Sequence, residues 1–264
     1  MNIVLRELRA NRKSLLIWCV ISFLFVVVGF SKFSAYYGNP ELLAILNDIP
    51  APVLEAFSFN AFNLTTLTGF FGVMFTYFAL ILSIAAAMWG SDIITKEERD
   101  KTVEFALTLP VTRGRLIAGK TVAVVIDCIV LLVVTVVAVL LNSTNYQPDS
   151  VFFQFVALSA AALFFLQMVF MAIGVLLGCA MTHYKRASAL AVAILLGTYF
   201  LSVLAGLNKS LNFLKFFTPF KYFDAANILH NSQLDWPFVA LSVGIIALCL
   251  IAAHVTYSKR DLYI

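Results

Sequence analysis

The chain has 264 residues, 62% of them hydrophobic and 12% charged, with a net charge of +4 and a mean hydropathy of +0.95. Soluble domains average about a quarter charged residues, so a water-soluble enzyme is excluded and residues 1–264 read as one all-α integral membrane domain. The basic residues sit at the ends of apolar runs, which suits an anionic inner leaflet and argues against nucleic-acid binding.

Residues 1–14 put Arg6, Arg9, Arg12 and Lys13 on one side of a short helix and Ile3, Val4, Leu5 and Leu8 on the other, which predicts an interfacial amphipathic helix. The basic start followed by an apolar run is like a signal peptide, but no small-residue cleavage site is clear after Phe30 and further apolar runs follow, so this run reads as a retained first span. A bilayer core of about 30 Å needs about 20 helical residues, and six runs satisfy that, at about 15–33, 67–89, 116–141, 151–181, 187–206 and 236–257. Between the first two, Gly38-Asn39-Pro40, Pro50 and Pro52 predict a loop with one short interfacial helix over 53–62. Asn142–Ser150 reads as a tight polar turn and Thr182–Arg186 as a polar corner. Residues 207–235, with Phe213, Phe216, Phe217, Phe220, Tyr222 and Phe223 around Pro219, are too interrupted to span and suit short external helices at the headgroup level. Cys19, Cys128, Cys179 and Cys249 fall in apolar runs and read as small hydrophobes, with no disulfide framework.

Lysine and arginine split 14 to 4 between the two sides of the six spans. The excess lies with the N-terminus, the connection between spans two and three, the Lys185-Arg186 corner and the C-terminus, which predicts that these face the cytosol.

The connection is the one long charged segment: Lys96 to Lys120 holds ten of the chain's 32 charges in 25 residues. Thr95 followed by Glu98 is a capping-box pattern, and Pro110 pushes Leu109 toward extended geometry. A helix from Lys96 to about Thr108 is predicted, with Thr102, Val103, Ala106, Leu107 and Leu109 on a docking face and Glu97, Glu98, Arg99, Asp100 and Lys101 in its first turns.

Gly114-Arg115-Leu116-Ile117-Ala118-Gly119-Lys120-Thr121 matches the phosphate-loop pattern letter for letter. A phosphate loop needs a preceding strand, a following helix in an α/β sheet and a magnesium-binding carboxylate, whereas Thr121 here opens a membrane-length apolar run. The residues read instead as entry into the third span, with Arg115 and Lys120 reaching to the headgroups. Asp127, near mid-bilayer two turns beyond Lys120, is a candidate for a transport path, partly compensated by Lys120 or hydrogen-bonded to a neighbouring helix. Gln154 and Gln167 read as interhelical glue. No metal-ligand spacing and no Ser-His-Asp set stands out.

The order of elements resembles the type-2 permease family of ATP-binding cassette (ABC) transporters. The sharpest similarity runs from Glu98-Arg99-Asp100-Lys101-Thr102-Val103-Glu104-Phe105 through Leu109-Pro110-Val111-Thr112-Arg113 to Gly119-Lys120. It looks like that family's E-x-x-x-T-x-E-x-L-L-x-x-P-(V/I)-(S/T)-R motif ending in Lys. Phe217–Phe223 and Lys259-Arg260-Asp261-Leu262 are similar to less specific family features. Lys101 stands where many members have Gly, and Ala106-Leu107 where a Leu pair is usual.

The resemblance implies that the segment after span two acts as a coupling helix and, with the N-terminal helix, contacts a separate ATPase subunit present in two copies. Carried over, the docking residues are Glu97, Glu98, Arg99, Thr102 and Glu104, with Arg6 and Arg9 of the N-terminal helix, while Pro110 and Arg113 fix the return into the bilayer. It further implies two permease subunits, as a homodimer or a heterodimer, and no cofactor in this chain, ATP and Mg residing on the partner. The implied activity is ATP-driven efflux of a hydrophobic or amphipathic substrate such as a lipid, antimicrobial peptide or drug, in a bacterial plasma membrane. Two other classes stay open on the residues alone: an ion-coupled carrier or channel using Asp127, and a lipid-modifying membrane enzyme.

Overall fold

A computed structural model describes residues 3–39, 62–100, 112–181, 183–207 and 209–259. Among them helix is the only regular secondary structure: α1 (Ile3–Tyr36), α2 (Leu67–Arg99), α3 (Arg113–Ser143), a 3-10 turn (Thr144–Tyr146), α4 (Ser150–Ala180), α5 (Tyr184–Leu207), a 3-10 segment (Lys209–Phe217), α6 (Pro219–Tyr222), α7 (Ala225–Asn231) and α8 (Trp236–Lys259). The six long helices, α1 to α5 and α8, are long and apolar enough to cross a membrane, and they coincide with the six runs read from the sequence. The short helices α6 and α7 lie within the aromatic stretch before α8.

Local chemistry sets several ends. The Thr66 hydroxyl accepts from Gly69 N at 3.1 Å to start α2, Thr112 caps α3 through Arg115 N at 3.4 Å, and Asp149 caps α4 through Phe152 N at 2.8 Å. These bonds satisfy backbone donors that a helix start leaves open. Past α1, Gly38 adopts a φ of 69°, a left-handed conformation that costs a glycine nothing.

Two expectations about helix boundaries are corrected. The N-terminal amphipathic helix is not a separate element: α1 runs unbroken from Ile3 to Tyr36. Around residue 14, where the amphipathic helix is expected to give way to the first span, Asn11-Arg12-Lys13-Ser14-Leu15-Leu16 contains neither Gly nor Pro, so nothing there ends the helix. The capping box at Thr95 does not form either. Thr95 lies inside α2 and donates its hydroxyl to the Ser91 carbonyl at 3.0 Å, so Lys96–Arg99 is the last turn of the second span rather than the first turn of a new helix. The rest of the predicted coupling helix, residues 101–111, and the interfacial helix over 53–61 lie outside the described residues.

Contact pairs give the directions. Glu7 meets Lys96, Ser14 meets Trp89, and Phe33 meets Phe70, so α1 and α2 are antiparallel. Asn11 with Asp127 and Ser22 with Thr135 make α1 and α3 parallel. α4 runs parallel to α2, Phe71 lying against Phe152 and Phe155 while Ala87 lies against Gly174. This last pair of helices packs backbone to backbone. A methyl group at Gly90 would overlap the Met171 carbonyl, one at Gly174 would overlap the Ala87 carbonyl, and one at Gly178 would come within 2.9 Å of the Ser91 carbonyl. Small residues at such spacing are how helices approach closely where lipid supplies no hydrophobic drive.

Candidate functional site: a buried charge cluster at the base of the charged connection

The start of α1, the end of α2 and the start of α3 meet at one end of the bundle, where the charged connection leaves and re-enters. The end of α8 joins them: a Cβ at Gly114 would collide with the His254 imidazole, and Arg113 Nη1 donates to the Ser258 carbonyl at 3.4 Å. The connection is thus held at its exit by α8 as well as at its entry by α1.

At the entry, five side chains form a chain of alternating charge. The Lys96 ammonium pairs with Glu7 Oε2, and Arg6 donates to Glu7 Oε1 from Nη2 at 2.8 Å. Arg6 Nη2 also reaches Glu97 Oε1 at 3.4 Å, and Glu97 Oε2 pairs with the Lys120 ammonium, which donates as well to the Ile93 carbonyl at 2.7 Å. Glu7 is 0% exposed, Lys120 1% and Glu97 8%. Charges at that depth persist only when paired and hydrogen-bonded. A sixth charge, Asp127, 1% exposed, accepts from Asn11 Nδ2 at 2.5 Å and lies within electrostatic reach of Lys96. Its Oδ1 has no hydrogen-bond partner among the described residues.

Below the charges the same interface continues in neutral polar ties. Trp89 Nε1 donates to Ser14 Oγ at 2.8 Å, and Ser22 and Thr135 share a hydroxyl bond of 2.6 Å. On α1 these partners fall at residues 7, 11, 14 and 22, one stripe at helical spacing. Beside them an open cleft of about 180 Å³ is lined by Asn11, Asp92, Lys96, Arg99 and Asp100 among others, with Arg99 paired to Asp92 and to Asp100.

Of the residues singled out from the sequence, Arg6 and Glu97 belong to the cluster, with Glu97 facing inward. Arg9 and Arg99 are exposed, Glu98 is half-buried and Arg113 lies at the start of α3. Thr102, Glu104 and Pro110 lie outside the described residues. Lys120 neither compensates Asp127 nor reaches to the headgroups; it is enclosed and paired with Glu97, because α2 continues past Thr95 and brings that carboxylate over α3. Gln167 does bridge helices, its Nε2 donating to the Cys128 carbonyl at 3.4 Å, whereas Gln154 is exposed. Residues 114–121 are helical throughout, with Gly114 against His254 and Gly119 against Ile3, so the phosphate-loop letters form no loop around an anion. Sequence reasoning missed Glu7 and Asn11. The one signal for them was the spacing of 7, 11, 14 and 22 within a stretch dominated by its four cations.

Comparison with known proteins agrees with this architecture. No curated protein matches the chain. A family model described as ABC-2 family transporter protein matches residues 1–262. That match covers nearly the whole length, and with six membrane-capable helices around one charged connection it shows that this chain belongs to the ABC-2 transporter family.

Proposed function

We propose that the chain is the membrane-spanning subunit of an ATP-driven exporter in which the energy comes from a separate ATPase subunit. The observation that carries this reading is the placement of the charged connection. It leaves α2 and enters α3 at the end of the bundle where α1 begins and α8 ends, inside a chain that belongs to a permease family. Such families partner with an ATPase subunit, and the 14 to 4 lysine and arginine bias assigns that end to the cytosol. In this reading Glu98, Arg99, Thr102 and Glu104 form the docking surface and Arg9 extends it on α1. Glu97 and Arg6 stand behind it in the charge cluster.

The complex would contain two permease and two ATPase subunits, with ATP and Mg on the latter. Apolar side chains exposed on α1, α5 and α8, among them Leu16, Phe200 and Leu248, suit contact with lipid and with a second permease. They favour a hydrophobic or amphipathic substrate, a lipid, antimicrobial peptide or drug, moved outward across a bacterial plasma membrane.

The test is copurification. ATP hydrolysis is expected only from the permease combined with its ATPase subunit, and charge reversal at Glu98 or Glu104 is expected to abolish it while membrane insertion persists. Hydrolysis by the purified chain alone, or labelling that places residues 96–113 at the outer surface, would overturn the reading.

A further inference from the structure

The cluster has a composition that decoration of span ends would not produce. α1 supplies Arg6 and Glu7, α2 supplies Lys96 and Glu97, and α3 supplies Lys120 and Asp127. Each helix brings one cation and one carboxylate, so the six formal charges cancel, and three of the four ion pairs, Lys96–Glu7, Arg6–Glu97 and Lys120–Glu97, cross between helices while Arg6–Glu7 lies within α1. Withdrawing α1 would leave Lys96 without Glu7, withdrawing α2 would leave Lys120 without Glu97, and withdrawing α3 would carry Lys120 away from its carboxylate, each leaving a charge stranded among apolar side chains. The neutral ties Ser14–Trp89 and Ser22–Thr135 carry the same interface further along α1.

Resting on the permease reading, we infer that α1, α2 and α3 travel as one body through the transport cycle. Glu7, Glu97 and Lys120 are the positioning residues that tie the base of the charged connection to α1 and α3. Force applied to that connection then reaches all of α1, whose outer face is apolar and free of the bundle at Leu16, Ile17, Val20 and Leu24.

Two measurements decide it. The first is a double-mutant cycle with Glu97→Gln and Lys120→Met, read on thermal denaturation of the detergent-purified permease alone, where the motor plays no part. Each single change leaves the cluster unbalanced and is expected to lower the midpoint. The double change leaves two cations against two carboxylates and is expected to recover most of the loss. A double variant whose loss equals the sum of the two single losses would overturn the pairing. In the ATPase complex the same single changes are expected to lower kcat by about tenfold at unchanged KM for ATP per assembled complex, with recovery in the double, since the nucleotide sits on another subunit. A change in assembled amount alone, with kcat intact, would reduce Glu97 and Lys120 to a structural role.

The second measurement uses Ser22→Cys with Thr135→Cys after Cys19, Cys128, Cys179 and Cys249 are replaced by Ala. Oxidation to the disulfide is expected to leave ATP turnover within about twofold of the reduced protein, because helices in one rigid body do not separate. Turnover that stops on oxidation and returns with dithiothreitol would show that α1 and α3 must part, and the single-body inference fails. Absence of hydrolysis from the wild-type complex would instead count against the exporter reading, leaving the thermal cycle to judge the cluster.

Discussion

The α1–α2–α3 unit is closed at its two ends by opposite chemistry. At one end, charges alternate through Lys96, Glu7, Arg6, Glu97 and Lys120. At the other, Phe33 stacks on Phe70 at 4.5 Å and packs against Tyr146 at 4.9 Å, with Phe30 and Tyr37 around them and the Tyr146 hydroxyl donating to the Phe30 carbonyl at 3.3 Å. In lipid no hydrophobic force draws helices together, so apolar rings hold by packing and can slide or repack. Buried charges have no such freedom, since a small displacement converts a pair into two unpaired ions. The rigid fastening therefore sits at the end where the charged connection enters, and the adaptable one at the far end.

The comparison breaks most readily at Lys120. Replacing it with Met removes the nearer cation of Glu97 and leaves that carboxylate only the Arg6 contact at 3.4 Å, and breaking a buried pair costs about 3–5 kcal/mol, which should appear as a large drop in the thermal denaturation midpoint in detergent. Phe33→Ala tests the other end: aromatic pairs are worth about 0.5–1.5 kcal/mol each, and with several partners lost the expected cost is about 2 kcal/mol, less than for Lys120. Equal or larger loss at Phe33 would reverse the ranking of the two ends. Ser22→Ala removes a neutral tie midway between them and should cost about 0.6 kcal/mol, the usual worth of an interhelical hydrogen bond in a bilayer. Arg99→Ala, which cuts exposed pairs with Asp92 and Asp100, should cost no more than about 1 kcal/mol and lose even that at high salt. The Lys120 effect should persist in the same salt titration, because its pair is enclosed.

The exposed and enclosed ends of the charged turn differed in how plainly the sequence showed them. Six crossings, the charged connection and its likeness to a permease motif were legible because apolar length and charge density are properties of short windows. The capping box at Thr95 misled because its two-residue signature says nothing of what precedes it, and Ser91, Ile93 and Ile94 continue the helix of the second span. Lys120 misled in the same way: a lysine two turns before mid-span ordinarily reaches to the headgroups, and only the neighbouring helix reveals a carboxylate closer at hand.

Chain composition alone determined that this is a bundle of six apolar helices with one charged connection, since each crossing must satisfy the bilayer by itself. Which of the adjacent residues Glu97 and Glu98 turns inward, and whether Glu7 and Asn11 count for anything, was decided by tertiary structure. Successive residues differ by about 100° around a helix, so the phase of α2 relative to α1 and α3 determines which carboxylate faces Lys120. That phase is set by packing among three helices, and no single stretch of sequence contains it.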